Sequence, residues 1–340
     1  MTSVGRATAV PVVDLRHTPG ELRSSLREAA HEVGFFYLVG HGVPQALARR
    51  VLDAARKLFA LPQADKDAVA MVRSPHFRGY TRLGGELTRG EVDWREQIDI
   101  GPERPSIGGP GKPDYLWLQG PNQWPAGLPE LPGIVDEWDA ALSSVARTLL
   151  RHWAASLGSP PDAFDAAFAE TPATLIKIIR YPARASSPQG VGAHRDAGVL
   201  TLLLAEPGSG GLQVRRGRGP DDDGWIDVPP LEGAFIVNIG ELLEVATDGY
   251  LRATEHRVSL SGAAAERISV PFFFNPRLDA QIPVLSLPAE LAARTDARWS
   301  ATEDPSDPIF AVYGRNAWKS RLRAHPDVAD AHGYSSSRVG

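Results

Sequence analysis

The chain has 340 residues and carries 36 Lys plus Arg against 41 Asp plus Glu, a formal net charge of −5. That balance excludes a basic nucleic-acid-binding surface, and 43% hydrophobic with 23% charged residues is ordinary globular composition with material for a sizeable core. The absence of cysteine excludes disulfides, Cys-ligated zinc, iron–sulfur clusters and thiolate nucleophiles, so any metal must be held by His, Asp or Glu.

The first residues lack an apolar signal-peptide stretch and soon meet Pro11 and Asp14. No apolar run along the chain approaches the roughly 18 residues of a membrane span. A cytoplasmic protein that does not cross a membrane is therefore expected. Of the basic residues 31 are Arg and five are Lys, a skew that points to a GC-rich, bacterial genome.

Residues 10–15 read as a short strand. Thr18 then caps a helix that has Pro19 at its first position, with Leu22, Leu26, Ala29, Ala30 and Val33 on one face and Gly34 as its stop. Residues 35–39 form a buried strand, the 40–44 turn follows, and a second helix over 44–59 points Leu47, Val51, Ala54, Ala55 and Leu58 inward. Residues 74–133 are rich in Gly and Pro and poor in periodicity, which predicts a long irregular segment over the surface or a pocket mouth. Ile134, Trp138, Leu142, Val145, Leu149, Trp153 and Leu157 recur at helical steps and predict a long spine helix ended by Gly158.

From Thr174 the pattern changes to short apolar runs between turns, over 175–181, 199–205, 212–214, 225–228, 234–239, 257–260 and 268–274. This is the signature of an antiparallel barrel or sandwich. Residues 305–327 read as helical or irregular. There is no internal repeat, and the charged stretch from Arg215 to Asp223 reads as a solvated loop.

His194 and Asp196 stand two residues apart, so at a strand end both face one way, and His256 begins another predicted strand. Alone, such a pair is a cheap pattern. Two His and one carboxylate on one barrel face make the facial triad of non-haem Fe(II), which leaves coordination positions open. Beyond it, Arg267, Ser269, Pro271 and Phe273 share one face of a strand, and a guanidinium fork beside a hydroxyl suits a carboxylate. Lys177 and Tyr181 share another strand face, which adds a phenol.

With these residues in hand the sequence resembles the isopenicillin N synthase-like branch of the Fe(II)/2-oxoglutarate-dependent oxygenases over nearly its whole length. The resemblance rests on residues 34–43 (GFFYLVGHGV), Lys177 to Pro182, His194-Arg195-Asp196, Gly211-Leu212-Gln213, Asn238-Ile239-Gly240-Glu241, His256-Arg257-Val258 and Arg267-Ile268-Ser269, all in family order. It implies an α+β fold with a mainly β core. A double-stranded β-helix (jelly-roll) barrel over 174–285 would follow an N-terminal α/β cap region over 1–133 and spine helices over 134–173, with a helical or irregular extension over 286–340.

The resemblance further implies that His194, Asp196 and His256 hold Fe(II), and that Arg267 and Ser269, helped by Tyr181, bind the distal carboxylate of 2-oxoglutarate. O2 is the other co-reactant and ascorbate a stimulant. The spacing of Arg267 from His256 is a little longer than the family's usual one, as a longer hairpin would explain. Lys177, Asn238, Phe273, Tyr80 and Arg78 are the candidates for supporting the ligands or touching substrate, with Phe77, Arg82 and Trp94 nearby in the irregular segment, while His41 matches a structural position. The implied activity is oxidation of a small metabolite (hydroxylation, desaturation or ring closure) with release of succinate and CO2. Because Asp196 occupies the carboxylate position, halogenation is disfavoured. The alternatives are a cosubstrate-free Fe(II) oxidative cyclase, an ethylene-forming enzyme and a non-catalytic metal- or acid-binding jelly-roll.

Overall fold

The computed structural model describes residues 10–183, 187–215, 224–261, 265–295 and 307–334. Strand β1 (Val12–Asp14) pairs in parallel with β2 (Phe35–Val39), and helix α1 (Pro19–Glu32) makes the crossover. At its start the Glu21 carboxylate accepts from the Thr18 hydroxyl at 2.7 Å and the Thr18 backbone N–H at 3.2 Å, with Pro19 in the first turn where no donor is missed. At its end Gly34 takes φ +75°, and a Cβ there would stand 2.3 Å from the Arg252 carbonyl oxygen. Helices α2 (Gln45–Ala60) and α3 (Gln63–Ala68) follow.

The segment expected to be irregular instead supplies four strands: β3 (Gly79–Thr81), β4 (Leu87–Thr88), β5 (Glu91–Val92) and β6 (Glu96–Ile100). In β6, Ile98 and Ile100 alternate with Gln97 and Asp99, but every residue of the strand is buried, so polar side chains inside hide the usual apolar alternation. Helix α4 (Leu131–Ser156) begins three residues before the first periodic residue and buries Trp138, Leu142, Leu149 and Trp153.

Eight strands make the barrel: β7 (Leu175–Tyr181), β8 (Gln189–His194), β9 (Leu200–Ala205), β10 (Leu212–Arg215), β11 (Trp225–Asp227), β12 (Phe235–Ile239), β13 (His256–Ser259) and β14 (Arg267–Phe274). Helix α5 (Glu241–Ala246) lies between β12 and β13, and α6 (Ala289–Ala292), α7 (Tyr313–Ala324) and α8 (Pro326–Ala331) close the chain. The larger sheet runs β1-β2-β12-β9-β14-β7-β6-β3 and the smaller β11-β10-β13-β8. Barrel strands thus divide between two sheets in the jelly-roll manner. Residues 189–192, which fall between the predicted runs 175–181 and 199–205, form the start of β8, where two glycines let the strand lie close to Tyr181 and Thr88.

Two apolar clusters hold this together. One lies between the outer face of the larger sheet (Ile176, Ile178, Leu202, Val270, Phe272) and helices α1, α2 and α4. The other, with Tyr181, Val191, Leu212, Val214 and Val258, joins the two sheets. From the N-terminal part, β1 and β2 extend the larger sheet beside β12, and β6 and β3 extend it beside β7. Of the charged loop, residues 216–223 lie outside the described residues. No helix among the described residues is long and apolar enough to cross a membrane.

Candidate active site

His194 is the last residue of β8 and His256 the first of β13, and the two face each other across the antiparallel ladder. Asp196 follows His194 past the strand end. One donor atom from each of the three lies within 4.8 Å of the others. Asp196 Oδ1 is 3.6 Å from His194 Nε2 and 3.8 Å from His256 Nε2.

The surrounding groups aim these atoms. His194 Nδ1 lies 2.8 Å from the Gly192 carbonyl and His256 Nδ1 3.1 Å from the Thr254 carbonyl, so each Nδ1 carries the proton and donates it, and each Nε2 lone pair faces the common point. Asp196 Oδ2 accepts from Thr201 Oγ1 at 2.5 Å and Asn238 Nδ2 at 2.8 Å, which leaves Oδ1 to face the two imidazoles. Burial opposes ionisation of Asp196, yet the adjoining His194, then His256, and the Thr201 hydroxyl hold the carboxyl far below the usual range. Burial, then His194, push His256 down to about 4. Burial also opposes charge on His194, but Asp196 outweighs it and raises that imidazole. Two nitrogens and one ionised oxygen converging with their outer atoms already bonded are the donor set of a mononuclear Fe(II) site.

The triad opens on a cavity of about 780 Å³. Across it, Arg267 lies opposite Tyr181 in the β14–β7 ladder, with its guanidinium carbon 4.8 Å from the Tyr181 ring centroid. Arg267 is 5% exposed, and its Nη1 finds no hydrogen-bond partner among the described residues. A buried cation with an unmet donor calls for an anion. Ser269, one step along the same face and 2% exposed, borders the same space, as does Phe273. His41 stays away, bonded to the Gly233 carbonyl.

The candidates from the irregular segment do not converge on this cavity. Tyr80 gives its hydroxyl to Glu96 at 2.5 Å, and Arg78 is buried with Nη2 donating to the Leu118 carbonyl at 2.9 Å; neither lines the cavity. Phe77 packs edge-on against Trp318, Arg82 pairs with Asp67 at the surface, and Trp94 joins the apolar cluster between the sheets. Tyr80 is turned toward neighbouring structure by β3, which pairs with β6, and Arg78, just before that strand, points to the Leu118 carbonyl.

Lys177 does line the cavity, within a chain of buried charges that was not foreseen. Its Nζ donates to Glu86 Oε1 at 2.7 Å and stands 3.6 Å from Asp99 Oδ2, to which Arg321 Nη1 also donates at 2.5 Å. Arg95 lies between Glu86 (2.9 Å) and Asp93 (3.2 Å). The alternation of Gln97 and Asp99 with Ile98 and Ile100 was the available signal for Asp99. Nothing local announces Arg321, which reaches the cavity from α7.

A family model described as "non-haem dioxygenase in morphine synthesis N-terminal" matches residues 10–127, and that of the 2OG-Fe(II) oxygenase superfamily matches residues 173–276. The chain is 33% identical to the 2-oxoglutarate-dependent dioxygenase frbJ of Dothideomycetidae sp. (strain 11243), over 95% of this chain and 91% of that protein. It belongs to the 2OG-Fe(II) oxygenase superfamily. The oxygenase is also 32% identical to the homoarginine-6-hydroxylase 2-ODD-C23 of Glycine max, over 82% of this chain and 88% of that one. Among solved structures it superposes on a 2OG-Fe(II) oxygenase family protein from Caulobacter crescentus (TM-score 0.72, 26% identity, 93% of this chain and 99% of the other). JOX2 in complex with 2OG, Fe and JA gives TM-score 0.70 and 26% identity, over 97% of this chain and 91% of the other.

These relatives decide among the readings that the motifs left open. The oxygenase is a 2-oxoglutarate-dependent non-haem iron dioxygenase, and its cofactors are Fe(II), 2-oxoglutarate and O2. Bacterial descent gains no support from the curated relatives, which include fungal and plant proteins.

Proposed function

We propose that His194, Asp196 and His256 hold the Fe(II), that Arg267 and Ser269 with Tyr181 bind the distal carboxylate of 2-oxoglutarate, and that the substrate is a small metabolite oxidised at a C–H bond. The observation that carries this is the pairing of a pre-aimed two-His, one-carboxylate set with a buried, unsatisfied guanidinium on the opposite wall of one cavity. For a hydroxylation the balance is R–H plus 2-oxoglutarate plus O2 giving R–OH, succinate and CO2.

When bound, the iron with 2-oxoglutarate and O2 supplies the oxidising power that breaks the C–H bond. The chain's own residues do the rest. Thr201 and Asn238 keep one carboxylate oxygen of Asp196 occupied so that the other faces the metal position. The Gly192 and Thr254 carbonyls fix both imidazole tautomers. Arg267 meets the cosubstrate carboxylate as a two-pronged donor, and the stacked Tyr181 ring holds the guanidinium plane in place. Phe273, Leu203, Ile179 and Pro271 provide an apolar wall that excludes water near the reacting carbon. The likeness to homoarginine-6-hydroxylases at 31–32% identity supports hydroxylation over desaturation or ring closure.

The test is an anaerobic titration of metal-stripped protein with Fe(II) and then 2-oxoglutarate, following the weak visible absorption of the keto-acid chelate. The band should form in the wild type and be lost in His256→Ala, while Arg267→Ala should need far more 2-oxoglutarate. Wild-type titrations in both variants would refute the assignment.

A further inference from the structure

Resting on that reading, we infer that the substrate is a zwitterion of the α-amino-acid type, gripped at its charged end by the buried charge chain Arg95–Glu86–Lys177–Asp99–Arg321. Four members of this chain, Arg95, Glu86, Lys177 and Arg321, line the cavity that the triad and Arg267 share. None is needed to hold iron or 2-oxoglutarate. Their side chains are between 6% and 10% exposed, so their charges face the cavity and not bulk solvent.

Each ion pair here leaves bonding capacity unspent. Glu86 Oε2 lies 2.9 Å from an Arg95 nitrogen without the alignment of a hydrogen bond, and it has no hydrogen-bond partner among the described residues. A donor-bearing cationic nitrogen entering the cavity would satisfy it. Lys177 has three N–H groups and spends one on Glu86, and Arg321 has five and spends one on Asp99. Both can therefore still give hydrogen bonds to a carboxylate. Asn275 Oδ1, buried at the same cavity, is a further acceptor without a donor.

The unspent groups narrow the ligand. Glu86 offers an unmet acceptor while Lys177 and Arg321 keep unused donors, so a ligand that carries both an ammonium and a carboxylate satisfies both. Arg78 is buried close enough to Asp99 and Arg321 to interact with both, and it biases that end toward a negative group. The amino group thus goes to Glu86 and the carboxylate to Lys177 and Arg321. Helix α7 makes room for the body of the ligand by presenting Ala317, Ser320 and Ala324, all small, on its cavity face.

The test uses the full-length enzyme loaded with Fe(II) and 2-oxoglutarate and a panel of free α-amino acids, each beside its N-acetyl and its methyl ester derivative. Amino acids are read first by anaerobic equilibrium binding and then by succinate release in air. At least one free amino acid should bind and stimulate succinate release, and blocking either end should weaken binding tenfold or more. Glu86→Gln should weaken the free amino acid tenfold while the N-acetyl compound, which lacks the cation, changes little. Arg321→Gln should do the converse with the methyl ester. Melting temperatures of both variants report folding, and the wild-type panel stands even if a variant fails to fold. Equal binding of free and blocked forms, or no binding by any amino acid while the 2-oxoglutarate chelate forms normally, would overturn the inference and leave the oxygenase assignment intact. Failure of the chelate itself would overturn both.

Discussion

Thr201→Val should weaken Fe(II) binding although Thr201 is not one of the three converging residues. The change is nearly isosteric and removes only the hydroxyl that donates to Asp196 Oδ2 at 2.5 Å. The acceptor is an ionised carboxylate whose side chain is 10% exposed, so water replaces the lost bond poorly. A hydrogen bond to a charged group contributes about 1.5–3 kcal/mol. At about 1.4 kcal/mol per decade this is about a 10- to 100-fold loss of affinity, the range found for partners that orient metal ligands. The assay is anaerobic competition for Fe(II) against a chromophoric chelator, with Thr201→Ser as the rescue that restores the hydroxyl. Asn238→Ala should fall in the same range, and the double variant should lose less than the sum, because both bonds act on one oxygen. An affinity for Thr201→Val within twofold of wild type, or no recovery in Thr201→Ser, would refute the orienting role.

Three further outcomes are expected. His325 is 1% exposed, and burial lowers its pKa from 6.5 to about 4. Between those values the unfolded chain takes up a proton that the native one refuses, so stability is present above about pH 6.5 and is lost as pH falls toward 4, by up to about 1.4 kcal/mol per pH unit. His325→Gln should flatten that dependence in urea unfolding series, and equal slopes would argue against it. Gly34→Ala should destabilise by more than about 1 kcal/mol, since φ is +75° and the new Cβ meets the Arg252 carbonyl and the Thr254 hydroxyl; an unchanged denaturation midpoint would contradict the contact. Trp153→Ala removes a 0% exposed indole whose N–H donates to the Leu26 carbonyl at 3.1 Å, and it should cost about 3–5 kcal/mol by the same measurement.

What the amino-acid order determined by itself was whatever depends on neighbours within a few residues. The α1 cap at Thr18 and Glu21, the spine helix α4 and seven of the eight barrel strands follow from local chemistry and period. His194, Asp196, His256, Arg267 and Ser269 were legible because each sits on a strand or at its end, where alternation says which way a side chain points, and the resemblance then gave those positions roles. Strand β8 was missed because its glycines read as a turn, and β6 because an inward face of Gln97 and Asp99 breaks the apolar rule.

Only the tertiary structure decided what surrounds the reacting space. Glu86 precedes β4, Asp99 and Lys177 stand on β6 and β7, and Arg321 comes from α7, 222 residues beyond Asp99, so their meeting depends on where α7 packs. Tyr80 and Arg78 turn away from the cavity for the same reason: their place in the sequence did not say which way β3 and the residue before it would point. Local propensity sets the direction of a side chain within its own element. Which distant charges it meets is set by packing, where a buried carboxylate must find its cations wherever along the chain they lie.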